Sequence, residues 1–357
     1  MGYLYSSDKS ECFGCESCSQ VCPKSAITFQ EDDEAFRYPV VNKDLCVNCG
    51  LCHKVCPHEN MPIFSDVKKY VFGGYHKNPA VRQRSTSGGA FSALAEKWLN
   101  DGGVVFGATA KGLMVYHTYV SEVKDLPVLC KSKYSQSIIG NAYKQVKDLL
   151  QKGNRVLFSG TPCHIAGLRA FLGDKYFENL FLVEVVCEGN PSPLFIRKFD
   201  VYLEKKYGAK IEKLDYRYKG QEGHLKIPFF KWDFEVMHAS LQNHKVWNKD
   251  RWFNPFWSVW LKHLISRPSC YKCPFAKTER LADVTLGDLW GVHIYCPELY
   301  GKNGGASLVL CNTEKGKRIW KPSERLMFGH ELDFNTALKY QGPLRKHIDS
   351  NEQRNDC

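Results

Sequence analysis

The 357-residue sequence predicts an α/β domain preceded by a small α+β domain. Three observations carry that reading. Eight cysteines crowd into the first 56 residues in two copies of one spacing. From about residue 76 cysteines become sparse, and buried-strand patterns alternate with helical ones, the pattern of α/β layering. The length leaves room for about two or three domains. The expected organisation is a small domain over 1–63, a connector over 64–75, a large domain over 76–350 and a disordered tail over 351–357.

The first domain rests on its cysteines. Cys12, Cys15, Cys18 and Cys22 are followed by Pro23, and Cys46, Cys49, Cys52 and Cys56 by Pro57. This is the two-cluster 4Fe-4S ferredoxin run, in which three thiolates hold one cubane and the fourth reaches across to the other. Cys12, Cys15, Cys18 and Cys56 should hold one cluster, and Cys46, Cys49, Cys52 and Cys22 the second. Each Cys-Pro ends a tight loop and sends the chain away. Zinc sites use paired cysteines with a long gap instead. Between the motifs, Ala26 to Phe29 and Tyr38 to Val41 read as short strands around an acidic turn at Glu31 to Glu34.

Composition excludes several classes. No run of 18 apolar residues exists, so no membrane-spanning helix is expected. The N-terminus lacks the apolar core of a secretory signal. Cysteines without such a signal point to a reducing cytoplasm. Net charge is +11, scattered as in Lys68-Lys69 and Lys205-Lys206 with no long basic run, so nucleic-acid binding is not expected. A mildly basic surface suits an acidic redox protein such as ferredoxin, or a partner redox subunit.

In the second domain, Phe91, Leu94, Ala95, Trp98 and Leu99 mark a helix, and Val104 to Ala108 a buried strand with Tyr116 to Val120 as its neighbour. Ile138 to Gln151 fits a helix ending at Gly153. Arg155 to Phe158 is a strand that runs through Ser159-Gly160-Thr161-Pro162-Cys163 into a helix over Ile165 to Leu172, and Phe181 to Val186 is the next strand. Trp252, Phe256, Trp260 and Leu264 recur every four residues, as on one helix face. They read as core, or as a water-excluding wall before Cys270.

Two constellations here bear chemistry. Cys163, Cys187, Cys270 and Cys273 together offer four thiolates. Spacing leaves three readings open: a third cubane, a nucleophile at Cys163 with His164 as base, or buried structural thiols. Cys130, Cys296, Cys311 and Cys357 have no partners at suggestive spacing and read as core or surface thiols. The second constellation is polar. Ser85, Thr86, Ser87, Gly88 and Gly89 open a helix, either as a phosphate cradle or as a simple N-cap turn. Lys131, Lys133, Tyr134, Ser135, Gln136 and Ser137 lie in a second polar stretch, a set of ligand contacts or an exposed loop.

The C-terminal 280 or so residues resemble the beta-subunit family of coenzyme F420-reducing hydrogenase and related dehydrogenases. The residues that carry the resemblance are Ser85 to Gly89, Ser159 to Cys163 with Ile165 to Arg169, Cys187-Glu188-Gly189 with Pro191-Ser192, Arg267 to Cys270 with Cys273, and Asp283 to Gly291. The resemblance implies FAD beside a 4Fe-4S cluster. Cys163, Cys187, Cys270 and Cys273 would then be cluster ligands, and the two polar stretches flavin contacts. It also implies a flavin- and iron–sulfur-dependent oxidoreductase. Such an enzyme would pass single electrons between a ferredoxin-like partner and FAD, and FAD would exchange a hydride with a deazaflavin coenzyme or another organic acceptor. Other expectations are an electron-transfer subunit without its own substrate, a reductase in surface-polysaccharide biosynthesis, and a non-catalytic ferredoxin-binding module. Asp288 and His164 are acid–base candidates by position only.

Overall fold

A computed structural model describes residues 2–65, 69–173, 178–219, 236–249, 254–300 and 305–356. In the N-terminal module, strands β1 (Ile27–Glu31) and β2 (Arg37–Val41) pair antiparallel. Their turn is closed by Asp32, whose carboxylate accepts from the backbone N–H of Glu34 and Phe36 at 3.0 and 2.9 Å, an Asx turn. Short helices Ser17–Val21 and Leu51–Lys54 carry the third cysteine of each motif, Cys18 and Cys52.

The second domain is built on strands β3 (Tyr70–His76), β4 (Val104–Lys111), β5 (Met114–Val120), β6 (Val156–Gly160) and β7 (Leu180–Val185). Later come β8 (Ile211–Tyr218), β9 (Val236–Leu241), β10 (Val246–Lys249), β11 (Val284–Asp288), β12 (Ser307–Cys311) and β13 (Met327–Glu331). Eight of them form one mixed sheet in the order β13-β3-β12-β11-β7-β6-β4-β5. Strands β4, β6, β7 and β11 are parallel neighbours, and antiparallel strands flank them on both sides. Strands β8, β9 and β10 make a separate small sheet.

The parallel strands are buried on both faces, as their near-continuous apolar runs require. Val105, Leu157, Phe181 and Val183 pack on one face with helix Ala90–Asn100. Val104, Phe106, Phe158 and Leu182 face the other way, toward helices Ala142–Gln151 and Pro162–Leu172. The small sheet packs with helix Pro193–Tyr207 and the aromatic segment, burying Phe256, Trp257, Trp260 and Leu264. That segment is core, in a helix of only Pro255–Trp260; Trp252 lies outside the described residues. Among the described residues, no helix is long and apolar enough to cross a membrane.

Three expectations change. Helix Ala142–Gln151 starts four residues later than the pattern suggests, because Ile138 is taken up by a parallel bridge to Tyr116. The connector over 64–75 contains most of strand β3, which lies between β12 and β13. Its Gly73-Gly74 pair hides it, since glycine weakens a strand pattern. The tail expected to be disordered forms a 3-10 turn, Glu352–Asp356, and Arg354 pairs with Glu34 at 2.7 Å.

The N-terminal module is seated on the large domain by specific polar contacts. Gln20 Oε1 accepts from the backbone N–H of Tyr143 and Lys144 at 3.0 and 3.3 Å, serving the exposed donors at a helix start. Ser17 Oγ donates to Gly167 O at 2.8 Å. Arg197 clamps Glu31 with two 2.6 Å bonds. Arg267, wholly buried, donates to Cys12 O, Gln136 Oε1 and Arg37 O at 2.9, 2.9 and 3.1 Å. Gly167 is required by contact: a Cβ there would lie 2.8 Å from Cys15 Cβ and 2.7 Å from Ser17 Oγ.

Candidate functional site

Cys12, Cys15, Cys18 and Cys56 line one small cavity of ≈ 40 Å³, with Cys52 and Phe13 also in its wall. The fourth cysteine of the second motif thus joins the first three of the first. Burial pushes the Cys15 thiol up to about 12, and neighbouring sulfurs add to burial in raising Cys18. Clustered, desolvated thiolates of this kind need a cationic core to neutralise them. Of the second set, Cys49 is exposed, while Cys22, Cys46 and Cys52 are half-buried. Cys22 Sγ accepts from Ala26 N–H at 3.3 Å.

A second cavity, ≈ 50 Å³, is lined by Cys163, Cys187, Cys270 and Cys273. These cysteines come from three places: the first turn of helix Pro162–Leu172, the loop two residues past β7, and the 3-10 turn Pro268–Lys272 with the residue after it. Burial raises Cys270 to about 11 and Cys273 to about 12. Asn190 N–H donates to Cys270 Sγ at 3.4 Å, the kind of contact that tunes cluster sulfur. The four thiols therefore meet, and their donor set fits a cubane. A Cys163–His164 dyad does not form: His164 Nδ1 is directed to Thr161 Oγ1 at 3.1 Å.

Beside this cavity, a cleft of ≈ 290 Å³ opens where β4, β6, β7 and β11 end, the usual place for a ligand in such a sheet. Ser85, Thr86, Ser87, Gly89, Lys131, Lys133, Tyr134, Ser135 and Ser137 all line it. The two polar stretches are joined, with Ser132 N–H donating to Thr86 Oγ1 at 2.7 Å. Several of their polar groups are already used. Ser85 and Ser87 hydroxyls donate to Val81 O and Ala306 O at 2.8 and 2.6 Å. Lys133 Nζ donates to Ala108 O and Cys130 O, both at 2.7 Å, and burial lowers it to about 8.

Two of the expected contacts are placed elsewhere. Gln136 is not in the cleft wall; its amide donates to Phe13 O and Gly14 O at 2.9 and 3.1 Å, seating the N-terminal module. Gly88 is absent from the wall too. A Cβ there would meet Gly74 O at 2.4 Å and Ser307 N at 2.6 Å, so this glycine serves backbone packing.

The cleft also holds Arg217 and His117, which sequence patterns do not single out, beside groups that they do. Arg217 reaches in from the small sheet and pairs with Asp288 at 2.6 Å. Lys131 pairs with Asp215 on the same strand as Arg217. His117 Nε2 donates to Ser159 O at 3.0 Å, so its Nδ1 accepts from Ser137 Oγ at 2.8 Å. Burial lowers His117 to about 4, keeping it neutral. His164, buried in the wall, leaves Nε2 without a partner. Trp260, Leu286, Leu129 and Phe91 supply an apolar side. An apolar wall, nearby cations and an orphaned ring nitrogen fit a planar, hydrogen-bonding, anionic ligand such as FAD.

Two shared walls connect the three cavities. Phe13 borders both cysteine cavities, and its ring packs edge-on against Phe275 at 5.1 Å. Cys187 borders both the second cysteine cavity and the cleft.

Comparison with known proteins bears on the two domains. Residues 153–326 match the family model that describes the C terminus of the coenzyme F420 hydrogenase/dehydrogenase beta subunit, and residues 11–60 match a 4Fe-4S dicluster domain. A chain in a xenon-derivatised structure of the F420-reducing [NiFe] hydrogenase complex from Methanosarcina barkeri shares the fold. It is 16% identical with a TM-score of 0.51, over 78% of this chain and 90% of that one. No curated protein matches the sequence. The chain is an iron–sulfur electron-transfer oxidoreductase related to the coenzyme F420 hydrogenase beta subunit, with a 4Fe-4S dicluster domain at residues 11–60 and a domain matching the C terminus of that subunit at residues 153–326.

Proposed function

We infer that this chain is a serial electron relay ending in a flavin cleft. Its ligand sets are Cys46, Cys49, Cys52 and Cys22; Cys12, Cys15, Cys18 and Cys56; and Cys163, Cys187, Cys270 and Cys273. The observation that carries the reading is the pair of shared walls, Phe13 between the cysteine cavities and Cys187 between the last of them and the cleft. Bound 4Fe-4S clusters would supply single-electron transfer, and bound FAD the conversion to two-electron hydride chemistry with an organic acceptor, such as a deazaflavin.

The protein's own residues position and shield. Lys131 and Arg217, each held by an aspartate, are set to meet ligand phosphates, and Thr86 holds the two polar stretches together. His164 Nε2 is the buried atom left to bond the ligand. Tyr134 packs edge-on against Trp257 and Trp260, both at 5.0 Å, excluding water behind the cleft.

Iron and flavin content of anaerobically purified protein tests the reading. About 12 iron atoms and one FAD per chain are expected. About eight iron atoms and no flavin would reduce the chain to a dicluster carrier. A second reading is an electron-transfer subunit of a larger complex without its own substrate. It is favoured by apolar Leu45, Val47 and Leu51, all exposed around Cys49. The structural neighbour also belongs to a multisubunit hydrogenase complex. A stable co-purifying redox subunit, or an acidic ferredoxin with salt-dependent transfer, would identify the partner.

A further inference from the structure

A cluster of donor atoms lies at the edge of the large sheet, and neither the relay nor the cleft uses it. Helix Val292–Tyr295 ends at Cys296, and Glu298 sits in the first turn of the next helix, Pro297–Tyr300. Strand β13, the edge of the sheet, brings His330 alongside. Cys296 Sγ, a Glu298 carboxylate oxygen and a His330 ring nitrogen all lie within 4.8 Å of one another. Cys296 is buried among Val292, Leu299 and Leu308, while Glu298 and His330 are exposed. The set is closed on its inner side and open to solvent on its outer side.

Hydrogen bonding leaves a place for a cation between these groups. His330 Nδ1 lies 2.9 Å from Glu331 O. A carbonyl only accepts, so Nδ1 carries a proton. In the neutral imidazole, Nε2 is then a bare lone pair. That lone pair is directed at Glu298 Oε1, 2.9 Å away, with Cys296 Sγ at 3.8 Å. Two lone pairs at hydrogen-bond distance require a shared cation, either a second proton on the ring or a metal ion. The Cys296 sulfur, close to both groups, adds the third donor that a metal ion would use.

The donor types select the ion. Magnesium and calcium take oxygen ligands. A thiolate, an imidazole and a carboxylate together suit zinc, whose bonds to each are about 2.0–2.3 Å. The Nδ1–H to carbonyl contact is the outer-shell bond that orients a metal-binding histidine. We propose that Cys296, Glu298 and His330 hold one zinc ion, with water as the fourth ligand on the exposed side. Binding exchanges the Cys296 thiol proton for the metal: the S–H bond breaks, an S–Zn bond forms and the proton leaves to solvent, with no change of oxidation state. The ion ties residues 289–300 to β13. That segment begins directly after Asp288, which holds Arg217 in the cleft.

The test is metal analysis of the full-length, cluster-loaded protein after anaerobic purification and exposure to a small excess of zinc sulfate, then desalting. About one zinc per chain is expected beside the iron. His330→Ala should lower zinc at least tenfold with iron unchanged, and because His330 is half exposed this substitution leaves the core intact. Cys296→Ala should do the same, with a circular-dichroism spectrum matching wild type as the control for folding. Zinc that stays in His330→Ala, or a wild type that takes up none, overturns the proposal and leaves an ordinary histidine–glutamate pair. The iron count separates this outcome from failure of the relay, since zinc lodged in cluster cysteines would displace iron and survive both substitutions.

Discussion

Replacing Arg267 with methionine should loosen the N-terminal module from the large domain. The guanidinium is wholly buried, makes three hydrogen bonds at 2.9–3.1 Å and lies 4.2 Å from the centre of the Tyr38 ring. Charged hydrogen bonds contribute about 1.5–3 kcal/mol each, so three give a gross loss of about 4.5–9 kcal/mol. Removing a desolvated cation recovers several kcal/mol of that. Methionine fills much of the volume but leaves Cys12 O and Arg37 O without their donor. The net loss should be about 3–5 kcal/mol, a fall in melting temperature of about 4–7 °C for a chain of this size. Arg267→Lys keeps the charge but not the planar fork and should fall between. Anaerobic scanning calorimetry of the cluster-loaded protein reads this directly. If Arg267→Met melts within about 1 °C of wild type, the contact is incidental and the reasoning fails.

Three further predictions concern other parts of the molecule. Cys273→Ser should lower iron by about four atoms per chain, and a full iron count would exclude Cys273 as a ligand. Gly167→Ala would force a methyl to within 2.8 Å of Cys15 Cβ. It should speed the loss of visible cluster absorbance in air, and decay at the wild-type rate would show that the loop yields freely. Burial lowers His117 from 6.5 to about 4. Between those values the unfolded chain binds a proton that the native state does not, so stability rises with pH through that window and is fully present above it. Denaturant unfolding should show about 2 kcal/mol less stability at pH 5 than at pH 7.5 from this group. His117→Gln should remove that share of the pH dependence.

Legibility follows the range of the interactions. The eight N-terminal cysteines form a local code, and the parallel strands announce themselves by apolar runs. The meeting of Cys163, Cys187, Cys270 and Cys273 is a property of the sheet, because β7 and the 3-10 turn after Arg267 converge from positions about 80 residues apart. Spacing can nominate these thiols but not assemble them. Polar loop residues look alike in sequence, so Gln136 and Lys133 both suggest ligand contact, yet both direct their donors to backbone carbonyls. Arg217 gives no signal, since it lies in a strand whose cleft-facing position depends on the small sheet's placement. Phe13, beside Cys12, is silent too, because the spacing of a cluster loop is written in sulfur alone. His330 and Cys296 are 34 residues apart and meet only across the sheet edge.

The helix Ala142–Gln151 makes no side-chain cap of its own; its opening N–H groups are met by Gln20. One half of the protein therefore completes the backbone of the other. This bears on how the chain could be divided or recombined. A gene split between the two halves would yield a large fragment with a raw helix start and, at Gly167, a bare patch shaped to a loop it no longer has. A foreign dicluster module grafted in place of the native one would need a glutamine at the same spot as well as the right cysteines. The fusion behaves as a single heritable unit rather than as a cassette with a detachable cartridge.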